Sequence, residues 1–306
     1  MRIESGRSGG RRQRLRAVVL AAGFLVLSMA LAEGIQTQEE KVSTAVDLPA
    51  LLDKLTAYAR RLENVALDFI CREEIAEKID YTLDAVASSP LVDTWSYGPG
   101  SGILVGGRRP RVDRNAYVYD YQCVRKDKVI TESRTLLEEN KVKKNEREAK
   151  LKTAVFVYGN ALLGPVGIFA ERFRPLYTYS ITGSDKIDKK PVVIVEAVPA
   201  DETPDLHLLY GKAWVDPTTA DILKIEWSEK RVGRFDIFQE RADRYKLKPQ
   251  ITIRSDLRDV SNGIRFPSVL YLKEAYVNSR GRAVVRSETT VTYKDFKFFT
   301  VEVEIR

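Results

Sequence analysis

The chain has 306 residues, with 50 basic and 43 acidic side chains, one histidine and two cysteines. Hydrophobic residues make up 44% of it, enough for a real core, which excludes a disordered or collagen-like chain. One histidine and two distant cysteines leave no ordinary zinc ligand set. The basic excess sits mostly in the first sixteen residues rather than in a patch of the kind that binds nucleic acid.

Arg2, Arg7, Arg11, Arg12, Arg14 and Arg16 form a basic opening. An apolar run follows from Ala17 to Leu27 and continues through Ser28 to Leu31, and Ala30-Leu31-Ala32 closes it as a small-x-small triplet. That order predicts a secretory signal peptide, residues 1–32, cleaved after Ala32, and a periplasmic or secreted bacterial product. The apolar run of about 15 residues falls short of the roughly 20 needed to span a bilayer. An uncleaved anchor is the alternative. No cysteine stands near the cut to carry a lipid, and no later stretch is apolar enough to cross a membrane. Removing residues 1–32 takes away six arginines and one glutamate, leaving 44 basic and 42 acidic side chains and a net charge of +2. Residues 33–46 are polar and aperiodic, and read as a flexible leader to a single domain over 47–306.

Asp47-Leu48-Pro49 is a helix start: Asp47 can cap free amides and Pro49 is tolerated in the first turn. Leu48, Leu51, Leu52, Leu55, Tyr58, Ala59 and Leu62 then follow helical spacing to about Asn64. The period changes to two at Leu67, Phe69, Cys71, Glu73, Ile75, Glu77 and Ile79, a strand with acidic interruptions on its apolar face. Residues 83–112 are Gly-rich and read as a loop or hairpin excursion. Tyr117, Tyr119, Tyr121 and Cys123 alternate in the next strand, which turns at Lys126-Asp127-Lys128 and returns over Val129 to Leu137. Glu138 to Lys152 is charged and reads as helical or loose. Ala154 to Phe173 predicts two short helices or a bent one, punctuated by Gly164-Pro165.

From Tyr177 the pattern is consecutive antiparallel hairpins. Tyr177–Thr182 pairs with Val192–Val198, and Leu208–Val215 with Ile222–Trp227. Ile251, Ile253 and Leu257 alternate in a further strand. Asn262-Gly263 is a tight-turn signal. Ile264, Phe266, Leu270, Leu272 and Tyr276 share one face beyond it. Ala283, Val285, Val291 and Tyr293 share the next inward face, and Phe296 to Ile305 ends the sheet. Long alternating strands bury one face and wet the other, and so large a sheet must curl. The expected fold is α+β, mostly β: a curled antiparallel sheet, a half-barrel, wrapped around a few helices drawn from Leu48–Asn64 and from residues 144–174.

Three stretches carry a family resemblance. Gly211-Lys212-Ala213-Trp214-Val215-Asp216 with Ile222-Leu223-Lys224-Ile225-Glu226, then Asn262-Gly263-Ile264-Arg265-Phe266-Pro267, then Thr292-Tyr293-Lys294-Asp295-Phe296-Lys297-Phe298-Phe299, resemble successive hairpins and the closing strand of the LolA/LolB-like lipoprotein-carrier superfamily. Phe69-Ile70-Cys71-Arg72-Glu73 and Tyr119-Asp120-Tyr121-Gln122 resemble uncharacterised secreted proteins of soil bacteria more closely. The superfamily resemblance implies an N-terminal helix and further helices on the concave side of a curled sheet, and a lipid or lipoprotein ligand. The chain departs from the carriers in its greater length and in the 83–112 excursion.

Chemistry-bearing patterns are sparse. His207 has no G-x-S-x-G elbow to serve and reads as a loop residue. Gly98-Pro99-Gly100-Ser101-Gly102 lacks the Lys-Ser/Thr of a phosphate-binding loop. Glu73, Glu77 and Glu274 lie on apolar faces, either as a carboxylate pair for glycoside hydrolysis or as interior ion pairs with arginine. Cys71 and Cys123 are a disulfide candidate: a bridge closing about 50 residues would contribute roughly 3–4 kcal/mol, the alternative being two buried free thiols. No metal or cofactor is expected. Phe266, Leu270, Leu272, Tyr276, Val291 and Tyr293 line either a filled core or a ligand pocket in the mouth of the sheet. The expected function is a non-enzymatic binding or carrier module for an acyl chain or lipidated segment. The alternatives are an envelope protein-interaction or stress-sensing module and an unrecognised hydrolase.

Overall fold

The computed structural model describes residues 46–67, 69–88, 111–126, 129–157, 159–200, 209–228 and 235–299. The chain divides into Met1–Val46 and Asp47–Arg306. The signal and its cut after Ala32, residues 33–45 of the leader, Gly98–Gly102 and His207 lie outside the described residues.

Helix α1 is Leu48–Val65. Asp47 accepts a hydrogen bond from the Ala50 amide at 3.4 Å, and Pro49 sits in the first turn, where no amide is needed. Leu51, Leu52, Leu55, Tyr58, Ala59 and Leu62 are buried, one stripe of the helix. The strands are β1 (Phe69–Asp80), β2 (Val112–Lys126), β3 (Val129–Glu139), β4 (Val142–Glu146), β5 (Tyr177–Ile187), β6 (Lys190–Pro199), β7 (Gly211–Val215), β8 (Ile222–Trp227), β9 (Lys248–Asp256), β10 (Asp259–Ser261), β11 (Ile264–Phe266), β12 (Val269–Val277) and β13 (Ala283–Phe298). Eleven of them form one antiparallel sheet in the order β4-β3-β2-β1-β13-β12-β9-β8-β7-β6-β5, and β10–β11 is a separate hairpin. The sheet is not closed, since β4 and β5 end it, and the twist of so many strands curls it into a half-barrel. The first strand pairs with the last, Phe69 opposite Phe298, so β1 and β13 lie side by side in the middle of the sheet.

Three hairpins turn through two residues with positive φ: Asn140 and Lys141, Asp188 and Lys189, Asn262 and Gly263. Such turns match the twist of the strands they join. The first corrects the reading of Glu138–Lys152. That stretch does not form a helix; it folds back as β4, an edge strand whose five residues are all exposed. Its lysines, Lys143 and Lys144, suit an edge that must not recruit another chain.

Helix α2 (Thr82–Ala87) opens the segment expected to be a loop from residue 83, and residues 89–110 of that excursion are outside the described part. A 3-10 turn at Ala161–Leu163 leads into helix α3 (Gly164–Phe169), so Gly164-Pro165 marks the junction of two short helical pieces. A Cβ on Gly164 would stand 2.7 Å from the Trp227 ring, so the start of α3 rests directly on that indole. Helix α4 (Phe235–Tyr245) was not anticipated. Phe238, Ala242 and Tyr245 are its buried side, with Asp236 in the first turn and Arg244 in the last, where each complements the helix dipole.

The inward face of β13 also needs correction. Ala283 and Val285 are exposed, and Val284 instead packs on the cluster of Leu83, Ala242, Tyr245 and Tyr276. The register skips one residue between Glu274↔Ser287 and Ala275↔Val285, a bulge at Arg286 that inverts the alternation upstream of it.

Candidate functional site

The six residues expected to line the concave face are all buried. Phe266, Tyr276 and Val291 are fully buried, and Leu270, Leu272 and Tyr293 nearly so. Leu270 lies opposite Val291 across β12 and β13. Phe266 belongs to an aromatic cluster at one end, 4.7 Å from Phe296 and 5.3 Å from Phe69 between ring centroids. Tyr276 belongs to the other end, 4.9 Å from Tyr245 of α4 and perpendicular to it. The face is a packed interior in this conformation, with α1 bound to the β10–β11 hairpin through Tyr58, whose hydroxyl donates to the Arg265 carbonyl at 2.6 Å.

Three carboxylates are buried on the same face, and each is consumed. Arg134 donates to Glu73 at 2.7 and 3.1 Å, and the Tyr293 hydroxyl adds a third bond at 3.0 Å. The same guanidinium donates to Glu132 at 2.8 Å, which also accepts from Tyr121 at 2.8 Å. Burial alone would favour a neutral Arg134, but the hydrogen bonds and charge of Glu73 and Glu132 outweigh it and hold the guanidinium above its ordinary range. Glu77 accepts from the Val155 and Ala154 amides at 2.8 and 3.2 Å, which ties the irregular segment 151–157 to β1. Glu274 accepts from Arg241 at 3.0 Å, Arg286 at 3.2 Å, Ser287 at 2.8 Å and Tyr276 at 2.6 Å. Arg286 also reaches Asp84 of α2 at 3.0 Å. Glu73 and Glu274 are thus interior ion pairs with arginine, and no two of these three carboxylates share an open cleft as glycoside hydrolysis requires. Arg134 and Arg286 were missed at the sequence level, because each pairs with a glutamate on another strand. Among the described residues no cluster of His, Cys, Asp and Glu is placed to hold a metal ion, and no helix is long and apolar enough to cross a membrane.

Cys71 and Cys123 are both buried and both free. They lie on neighbouring strands, but Cys71 pairs with Tyr121, which sets Cys123 two residues off. Diagonal neighbours of this kind are about 7–8 Å apart at Cα, beyond the reach of an unstrained bridge. Burial and the nearby Glu73 push the Cys71 thiol up, and burial does the same for Cys123. Both thiols should therefore resist alkylation in the folded protein and react on unfolding without reductant, as read by mass spectrometry. Reaction only after reduction would place a bridge there instead.

The buried tyrosines make stability pH-dependent on the alkaline side. Burial and the Asp84 carboxylate, to which its hydroxyl donates a hydrogen bond, push Tyr245 up to about 12, and burial pushes Tyr177 up to about 12. In an unfolded chain each ionises near pH 10. A raised folded-state pKa contributes stability that is complete below about pH 10 and lost as the pH rises towards 12. Unfolding followed by circular dichroism should therefore show its alkaline midpoint between about pH 10 and 12. Ionisation of all 14 tyrosines near pH 10 with the sheet intact would contradict it.

α1 and the residues after α3 meet along a seam that carries three exposed ion pairs. They are Arg60–Glu171, Arg172–Glu63 and Arg174–Asp53, each at 2.7 Å.

No protein-family model matches the chain, and no curated protein matches it. Among solved structures it is similar to a DUF1329 family protein from Desulfovibrio piger, at 12% identity over 82% of this chain and 92% of that one, with a TM-score of 0.34. It is similar to a LolA superfamily protein from Nitrosomonas europaea at 13% identity, over 83% of this chain and 94% of that one, with a TM-score of 0.33. It is also similar to a candidate outer membrane lipoprotein-sorting protein domain from Vibrio parahaemolyticus at 11% identity, over 83% of this chain and 95% of that one, with a TM-score of 0.35.

Proposed function

We propose that this chain is an exported, non-enzymatic binding module of the bacterial envelope that carries an apolar ligand, an acyl chain or a lipidated segment, on the concave face of its sheet. The observation that carries the reading is the nature of the cover. The apolar face lies under short helices and one long one, and the seam along α1 is held on its outside by exposed ion pairs. Pairs of that kind contribute little net stability. A ligand that replaces the buried stripe of α1 on the face would leave the ladder hydrogen bonds of the sheet whole. Export rests on the basic opening, the apolar run and the Ala30-Leu31-Ala32 triplet.

A second reading is binding of a protein partner at β5, an eleven-residue strand at the end of the sheet with seven consecutive exposed residues, Ser180–Lys186. Edges of this type accept an added strand. Native mass spectrometry of the protein from a periplasmic extract, followed by lipid extraction, separates the two. A co-purifying lipid or acylated peptide in stoichiometric amount is the expected result. A clean unliganded mass with no uptake of offered lipids would refute the carrier reading and leave the partner-binding one.

A further inference from the structure

A cleft of about 410 Å³ opens at the seam between α1 and the residues after α3, lined by Thr56, Arg60, Glu63, Ala170, Glu171 and Arg172. Its volume falls within the range of small-ligand sites, about 300–1,000 Å³. Thr56 is 8% exposed, and its Oγ1 is buried without a hydrogen-bond partner in the protein. Buried hydroxyls without a partner are few, and each calls for an account in strain, a water or ion, or a functional role; Thr289 is a second one, away from this cleft. Arg60 donates to Glu171 at 2.7 Å, and Arg172 donates to both oxygens of Glu63 at 2.7 and 2.8 Å.

The charge balance of the cleft selects the ligand. Two guanidinium groups and two carboxylates sum to zero. A purely anionic ligand would meet the carboxylates, and a purely cationic one the guanidinium groups. A ligand with one charge of each sign exchanges into both pairs and leaves no charge unpaired. Exposed ion pairs are weak, so the exchange loses little. Three donor groups, two forks and one hydroxyl, suit the several oxygens of a phosphate better than a planar carboxylate, which one guanidinium saturates.

We propose that this cleft binds a phosphoethanolamine-type headgroup: the phosphate between Arg60, Arg172 and the Thr56 hydroxyl, the primary ammonium against Glu63 and Glu171. The inference rests on the carrier reading for the rest of the ligand, whose chains would lie on the concave face beneath α1. It names the headgroup, which that reading leaves open.

The test offers the whole mature protein three probes, with affinity read by native mass spectrometry. They are lysophosphatidylethanolamine, lysophosphatidylglycerol of the same chain length, and free phosphoethanolamine. The expected result is that the ethanolamine lipid binds about tenfold or more tightly than the glycerol lipid. The double variant Glu63→Gln with Glu171→Gln should lose that preference and still bind the glycerol lipid. Thr56→Val should weaken the ethanolamine lipid while its thermal midpoint holds or rises, since it removes an orphaned hydroxyl; a purely structural threonine would leave affinity unchanged. Equal affinity for the two lipids overturns the headgroup site and leaves the carrier reading standing. Binding of free phosphoethanolamine alone, abolished in the double variant, upholds the site and refutes the lipid source together with the carrier reading. Binding of none of the three overturns both.

Discussion

Glu274→Ala should lower the unfolding free energy by about 3 kcal/mol, the low end of the cost of breaking a buried ion pair, because it takes from a buried guanidinium one of its two carboxylate partners. Glu274 is fully buried, and Arg286, the cation it holds, is 6% exposed. The substitution removes the acceptor of four hydrogen bonds at once, from Arg241, Arg286, Ser287 and Tyr276. Arg286 keeps Asp84 and the Tyr245 hydroxyl, so the loss falls short of a bare buried charge. The pair also ties α2 and α4 to the sheet, since Asp84 lies on α2 and Arg241 on α4. Urea unfolding measures the effect, with the midpoint expected to fall and the slope to hold. Glu274→Gln, which keeps shape and accepting capacity, should lose clearly less. A loss below about 1 kcal/mol for the alanine variant would mean that the network is solvated and that α2 and α4 lie away from the face.

Phe266→Ala decides whether the concave face is filled. Its ring stacks on Phe296 and meets Phe69 and Phe298 at 5.3 and 6.1 Å. In a packed interior, removing a buried phenyl ring costs about 3–5 kcal/mol, the transfer term plus the cavity it leaves. Spread over a domain of this size, that corresponds to a fall in thermal midpoint of roughly 10 °C. If the ring instead lines a standing cavity, truncation would cost under about 1 kcal/mol and would alter ligand uptake first. Calorimetry with and without offered lipid separates the outcomes. A large loss without ligand, partly recovered with a lipid that refills the space, is the result expected of a face that opens only when a ligand replaces the helices.

The residues by themselves determined the local elements. The Asp47 cap and the leucine spacing put a helix at α1, and it runs over Leu48–Val65. The period-two run from Phe69 to Ile79 puts Cys71, Glu73, Ile75 and Glu77 on one face of β1, and all four are buried. Asn262-Gly263 called for a two-residue turn, and both residues take positive φ. These features are legible because cap chemistry, side-chain period and turn conformation depend on a few neighbouring residues. The curl of the sheet was legible for a related reason: many long alternating strands cannot stay flat.

Only the tertiary structure decided the rest. The bulge at Arg286 inverts the inward face of β13, and nothing near it in the chain announces a skipped residue. Arg134 meets Glu73 across 61 positions, so the ion pair exists only once β1, β2 and β3 are in register. The offset of Cys71 and Cys123 is likewise a matter of register, invisible in the spacing of the two residues. The short helices α2 and α4 show few turns of periodicity, and packing on Tyr276 rather than propensity holds them. Whether an apolar face is a core or a pocket depends on what lies over it, and that is set by contacts between segments far apart in the chain. The sequence specifies which side chains face inward; the covering helices decide whether that interior is open.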